Sequence, residues 1–252
     1  MTGLARMLFG KTFLFGLLSL TLSASVSGKS GSRIVVEALP LLDWKAGTVV
    51  TAAEVHAYGL EKCFAAEPIS DAVFQRMWGK SYPKSCTAPR SALRYLRVLH
   101  FDGDGKIRLG ELVCNKSIAA DLLKIFKELY AHRYPIARMR LIDDYGADDE
   151  RSMRANNTSC FCYRAVSGAK HLSRHARGMA IDINPLYNPY CRRLRNGKRV
   201  VRPATAGKYC DRQVHFAYKI DRSDLCYRLF TRHGFRWGGA WKRVKDYQHF
   251  EK

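Results

Sequence analysis

The sequence predicts an α+β fold: a mostly antiparallel sheet with flanking helices, preceded by a small helical accessory segment. Three observations carry that expectation. The β-rich runs "RYLRVLHF" and "KIRLGELV" flank "DGDG", the signature of a hairpin. "SIAADLLKIFKELYAHRYP" and "SDLCYRLFTRHG" repeat apolar residues at helical spacing. Strand-like pieces, "ARMRLID", "GMAIDIN" and "YQHFE", accompany the helices. Helices gathered at the ends of an antiparallel sheet define the α+β class.

The chain opens with "MTGLARMLFGKTFLFGLLSLTLSASVSG". Arg6 and Lys11 precede an apolar run from Thr12 to Leu22, and small residues follow as far as Ser27. This three-part pattern reads as a secretory signal peptide over residues 1–27. The run is short for a bilayer, so an uncleaved anchor is the weaker reading. The expectation is an exported protein, periplasmic or secreted, with no stable membrane span after cleavage. No cysteine precedes Cys63, which excludes a lipid-modified cysteine at the cleavage site.

Residues 28–90 read as an accessory segment of short helices. "TAAE" at 51–54 is a capping box, and Ser70 can cap "DAVFQRMWGK". A second domain is expected over residues 91–252, opening with the hairpin. Its "DGDG" also fits part of a calcium loop, with Asp102, Asp104, Gly105 and Glu111 in place. His100 occupies the first position, however, where a hard cation needs oxygen, and the flank alternates like a strand. A turn is the better reading. The first long helix should pack Ile118, Leu122, Ile125, Phe126 and Leu129 on one face and end before Pro135. The second should be capped by Ser223, pack Leu225, Leu229 and Phe230, and stop at Gly234.

At 252 residues the chain can bury a substantial core. With 47% hydrophobic and 26% charged residues it is neither disordered nor a polytopic membrane protein. Its net charge is +21. In an exported protein such charge points to an acidic polymer, such as a bacterial cell wall, rather than to nucleic acid; solubility alone is the competing explanation. Eight cysteines, an even count, suggest disulfides in that compartment. Cys160 and Cys162 share a face on a strand and should seek different partners. No C-x-x-C pair occurs, which argues against a ribbon or finger zinc site.

Within "LSRHARGMAIDINP", residues 172–185, an aspartate interrupts an apolar strand. A buried lone carboxylate is costly unless paired or bound to metal. On a strand, Met179, Ile181 and Ile183 share one face while Ala180 and Asp182 share the other. Gly178 lets the chain bend so that His175 can approach Asp182. Imidazole and carboxylate suit Zn²⁺, although a metal-free hydrogen-bonded His–Asp couple fits these two residues equally. Near the end, "GFRWGGAWKRVKDYQHFEK" places Asp246 three residues before His249, around a short terminal strand. A third ligand and a nearby carboxylate would complete a catalytic zinc arrangement with one position open to water.

The pattern S-x-H-x-x-G-x-A-x-D, here Ser173, His175, Gly178, Ala180 and Asp182, followed by D-x-x-H, resembles the zinc D-alanyl-D-alanine carboxypeptidases and L-alanyl-D-glutamate endopeptidases of bacterial cell walls. "SRHARGMAIDINP", "GFRWGGAW" and "DYQHFE" are similar to the endopeptidase-like branch. The resemblance runs from about Leu93 to the C-terminus and implies a fold shared with the hedgehog signalling domain. It implies that His175, Asp182 and His249 bind one Zn²⁺ and that Asp246 is the general base. Arg164 would be catalytic or substrate-binding, stabilising the oxyanion or forking onto a substrate carboxylate, and an ordinary ion pair is its alternative use. Ser173 would support the site by hydrogen bonding, on its substrate side. The implied partner is peptidoglycan or its muropeptides, and the implied reaction is hydrolysis of stem peptides by metal-activated water. A non-catalytic zinc-bearing cell-wall binding module is the rival, and keeping Asp246 argues against it.

His171, His215 and His233 are further candidates for a fourth ligand, though each fits a surface or core position as well. Trp237 and Trp241 flank "GG" and could line a cleft or the core. "CRRLRNGKRVVRPATAGKYC", Cys191 to Cys210, lies outside the resemblance. It reads as a disulfide-bridged basic loop on the cleft rim that attracts acidic muropeptides, or as a solvated basic loop. No pattern specifies an oligomeric state.

Overall fold

The computed structural model describes residues 40–166 and 171–252, so the signal-peptide reading of residues 1–27 lies outside the described residues. The first described elements are β1 (Val49–Val50), α1 (Ala52–Tyr58), β2 (Ala65–Pro68) and α2 (Asp71–Met77). Thr51 and Glu54 close the expected capping box, and Ser70 Oγ accepts from Val73 N at 3.3 Å. The hairpin follows as β3 (Leu93–Phe101) and β4 (Ile107–Asn115).

The segment before residue 91 is not purely helical, which corrects the expectation. β1 pairs with β4 and β2 with β3, giving a four-stranded sheet of order β1-β4-β3-β2. Both added strands are short edges, and Pro68 is tolerated on one because an edge strand can leave an N–H position unpaired. Runs of this length are too brief for alternation to reveal. In the hairpin turn, Asp102 Oδ1 accepts from Asp104 N and Lys106 N at 3.0 and 2.9 Å, while Oδ2 faces Arg108 Nε at 2.5 Å. The carboxylate serves the turn itself, as the alternating flank implied.

Helix α3 (Lys116–Ala131) crosses the sheet, and Asn115 Oδ1 accepts from Ser117 N to cap it. Ile118, Leu122, Ile125, Phe126 and Leu129 are all buried, as their spacing requires. They pack on Leu96, Val98 and Leu112 from the hairpin. Of "ARMRLID" only β5 (Arg138–Met139) is extended; α4 (Asp149–Arg154) follows, and β6 (Asn157–Thr158) pairs with β5 in parallel.

The remaining strands are β7 (Ala180–Asp182), β8 (Tyr190–Arg193) and β9 (Arg199–Arg202), then β10 (Arg236–Trp237), β11 (Lys245–Asp246) and β12 (His249–Glu251). They form two antiparallel three-stranded sheets, β10-β12-β7 and β11-β8-β9. Before β10, α5 (Leu225–Arg232) is capped by Asp224, not Ser223. Asp224 Oδ1 accepts from Cys226 N and Tyr227 N, while the Ser223 hydroxyl donates to Asp221.

Ile181 of β7 and Phe250 of β12 are fully buried in the core that α3 covers, and Phe250 stacks on Phe230 of α5 with centroids 4.5 Å apart. These anchors fix the two strands that carry the candidate ligands. The architecture is α+β with antiparallel sheets and flanking helices. Among the described residues, no helix is long and apolar enough to cross a membrane.

Candidate metal centre

Ser173 opens a single 3-10 turn, Arg174–Arg177, by accepting from His175 N at 3.2 Å. Gly178 closes it with φ +65°. A Cβ at that position would lie 2.6 Å from Asn115 N, while Gly178 O accepts from that same N at 2.9 Å. The turn is therefore pressed onto the end of β4, and only glycine fits. The Ser173 hydroxyl is occupied in shaping the turn that presents His175.

Alternation then acts as the sequence implied. Ile181 faces the core and Asp182 the opposite side, directly across from His249 in the β7–β12 register. His175 Nε2 lies 3.3 Å from Asp182 Oδ2, and His249 Nδ1 lies 3.1 Å from Asp182 Oδ1. The two imidazole nitrogens are 3.2 Å apart. These three residues form a metal-capable group whose ligand atoms all lie within 4.8 Å of one another.

The outer nitrogens explain the orientation of both rings. His175 Nδ1 is 2.6 Å from the Cys160 carbonyl oxygen, which can only accept, so that nitrogen carries the hydrogen. His249 Nε2 is 3.3 Å from Glu251 Oε2 and donates in the same way. Neutral rings held so turn two lone pairs towards each other and towards a carboxylate, which calls for a proton or a cation between them. Asp182 shows the same demand. Burial alone would raise its carboxyl, but the two imidazoles outweigh burial and hold it well below the usual carboxylate range. For His249, burial is again opposed and outweighed, by Asp182, Glu251 and Asp246, and its imidazole rises to about 10.

This group opens on a cleft of about 1000 Å³, also lined by Asp246, Arg164 and Trp241. Asp246 does not share a strand with His249: it lies on β11, paired with Tyr190 of β8. Gly238 permits the approach, since a Cβ there would lie 2.6 Å from Asp246 O and 3.2 Å from His249 Cβ. Gln248 Nε2 donates to Asp246 Oδ1 at 3.1 Å. Burial in the cleft, reinforced by the charge of Asp182 and opposed by His249, pushes the Asp246 carboxyl up to about 6. Arg164 is ion-paired with Asp149 at 2.5 Å while it lines the cleft.

The other candidates separate clearly. His171 lines the cleft outside the ligand group, His233 pairs with Asp121 at 3.1 Å, and His215 lies on a different cavity. Trp237 is buried in the core, whereas Trp241 sits 5.4 Å from the His249 ring. Cys191 and Cys210 form a disulfide, and among the described residues the other six cysteines are free. The bridged segment folds as the β8–β9 hairpin, and its Tyr190, Arg192, Val200 and Arg202 form one wall of the cleft. Glu251 and Asp149 were missed from sequence. The i, i+2 spacing of His249 and Glu251 on one strand could have revealed the first; no local signal marks the second.

Residues 167–252 match the family model described as D-alanyl-D-alanine carboxypeptidase. That stretch contains Ser173, His175, Asp182, Asp246 and His249, while Arg164 lies just outside it. The match supports a peptidase. That match, over about the C-terminal third of the chain, agrees with the resemblance of its motifs. Comparison with curated proteins and with solved structures gives no significant match.

Proposed function

We propose that this protein is an exported, periplasmic or secreted zinc peptidase that hydrolyses peptidoglycan stem peptides, of the D-alanyl-D-alanine carboxypeptidase or L-alanyl-D-glutamate endopeptidase type, on a hedgehog/DD-peptidase-like fold. The observation that carries the reading is the inward convergence of His175 Nε2, His249 Nδ1 and the Asp182 carboxylate, with both outer imidazole nitrogens tied to acceptors. Two nitrogens and a carboxylate are a donor set suited to Zn²⁺, and three protein ligands are the number a catalytic zinc site uses. When bound, the ion supplies a Lewis acid that acidifies water and polarises a carbonyl.

The chain's own residues do the remaining work. Asp246, with its carboxyl near 6, takes a proton from attacking water at neutral pH and returns it to the leaving amine. Arg164, held by Asp149, contacts the substrate's carbonyl oxygen or a carboxylate. Arg174, Arg177, Arg192 and Arg202 make the cleft wall basic, which suits an acidic stem peptide.

The deciding experiment digests purified muropeptides with wild type and Asp246→Ala and follows products by mass spectrometry. A peptidase loses hydrolysis in the variant while retaining zinc. Equal behaviour of both proteins would favour the non-catalytic binding module, and the masses released by wild type identify the bond cut.

A further inference from the structure

The β8–β9 hairpin carries a dense charge pattern, and its strand pairing sorts that charge by face. In the antiparallel register Tyr190 pairs with Arg202, Cys191 with Val201, Arg192 with Val200 and Arg193 with Arg199. Side chains alternate along each strand, so Tyr190, Arg192, Val200 and Arg202 share one face. Those four line the peptidase cleft, whereas Arg193 and Arg199, on the other face, do not.

This wall is held at both edges. Tyr190 and Cys191 of β8 pair with Asp246 and Lys245 of β11. Just past β9, Ala204 N donates to Glu150 Oε1 of α4 at 2.8 Å. The disulfide ties Cys191 to Cys210, beyond β9.

Charge in the cleft is unbalanced. Its four acidic side chains are already engaged: Asp149 by Arg164, Asp182 by both imidazoles, Glu251 by His249 and Arg236, and Asp246 by Gln248. Arg192 and Arg202 are exposed where they line the cleft, and among the described residues neither guanidinium has an ion-pair partner. A ligand can therefore reach two open guanidinium forks, and the peptide group that matches such a fork is a carboxylate.

The register also supplies a spacing. Asp246, Tyr190 and Arg202 are consecutive rungs across β11, β8 and β9. Two strand spacings put the backbone of Arg202 about 10 Å from that of Asp246, a span that extended peptide covers in about three residues. At that distance a guanidinium sets which peptide is held and takes no part in the chemical step.

We propose that Arg202, with Arg192 on the same face, is a specificity determinant: it reads a free carboxylate on the bound peptide, remote from the reacting bond, and disfavours the corresponding carboxamide. The inference rests on the peptidase reading and narrows its basic wall to two residues and one substrate group.

The test compares a muramyl pentapeptide whose internal carboxylates are free with the same peptide after those carboxylates are amidated. Calorimetry uses the full-length Asp246→Asn protein, so that the ligand is not consumed, and adds the hairpin substitutions to it. The free acid should bind at least about fivefold more tightly than the amide, and the difference should shrink as salt rises. Arg192→Gln combined with Arg202→Gln should bring the two affinities together. Arg193→Gln combined with Arg199→Gln removes the same charge from the opposite face and should leave the preference standing. With Asp246 intact, the cleft-face pair should lower kcat/KM for the acid mainly through KM. Equal affinity for acid and amide, a preference kept in the cleft-face pair, or equal loss in both pairs would overturn the proposal. Selective binding with neither peptide hydrolysed by wild type would strike the peptidase reading alone. Hydrolysis of acid and amide without selectivity would strike only this inference.

Discussion

Glu251 offers the sharpest probe of how the candidate metal centre is held. Its Oε2 accepts from His249 Nε2 at 3.3 Å, and its Oε1 pairs with Arg236 at 2.8 Å. Arg236 is 69% exposed, so that ion pair contributes no more than about 1 kcal/mol. The consequence of Glu251→Ala should therefore fall on His249: its ring loses the partner that fixes the hydrogen on Nε2 and aims Nδ1 at Asp182. Loss of such an outer partner typically lowers metal affinity by about 10–100-fold, or about 1.4–2.7 kcal/mol. Competition against a chromophoric zinc chelator would measure this directly. Melting of the metal-free protein should change far less than the zinc affinity. A Glu251→Ala protein with wild-type zinc affinity would refute the reasoning that the outer contact sets the ligand geometry.

Other outcomes follow from the same geometry. Asp246→Asn should keep zinc and lose about 10²–10⁴-fold in kcat against muropeptides. In its proposed role as base Asp246 must be deprotonated, so with its carboxyl raised to about 6 kcat/KM should climb with pH through an apparent pKa at or below 6. A bound cation can only move that limb downward, and Asp246→Asn should abolish it. Replacing Arg192 and Arg202 by Gln should weaken binding to wall sacculi at low salt and flatten its salt dependence; unchanged, salt-insensitive binding would remove the basic hairpin from substrate capture. Phe250→Ala should cost about 3–5 kcal/mol in urea unfolding, since the ring is fully buried on Phe230 and anchors β12. A smaller loss would mean that the site strands depend less on the core than their packing implies.

Much of this was legible in the sequence because the signals are local. The 3.6-residue repeat of α3 specified its buried face residue by residue, and alternation along β7 separated Ile181 from Asp182. Gly178 was legible as a bend, though only the packing shows that Asn115 N excludes any larger residue. What sequence reading missed depends on contacts between distant segments. Asp246 and His249 read as parts of one strand, yet they lie on β11 and β12 in different sheets, joined through Gly238. The strands of the segment before residue 91 are made by pairing with the hairpin, not by their own pattern. Asp224 displaced Ser223 as a cap because its carboxylate meets two N–H groups, a choice that adjacent capping residues do not reveal. The cysteine count suggested disulfides and Cys191–Cys210 is one, but a parity argument carries no distances and could not choose that pair or leave the other six described cysteines free.

The most direct measurement is metal content by elemental analysis of wild type alongside His175→Ala and His249→Ala. About one zinc per chain in wild type, with neither alanine variant retaining it, is the expected result. Wild-type protein that takes up no zinc when it is supplied, or variants that hold it as tightly, would show that two imidazoles and a carboxylate meet here for some purpose other than gripping a metal.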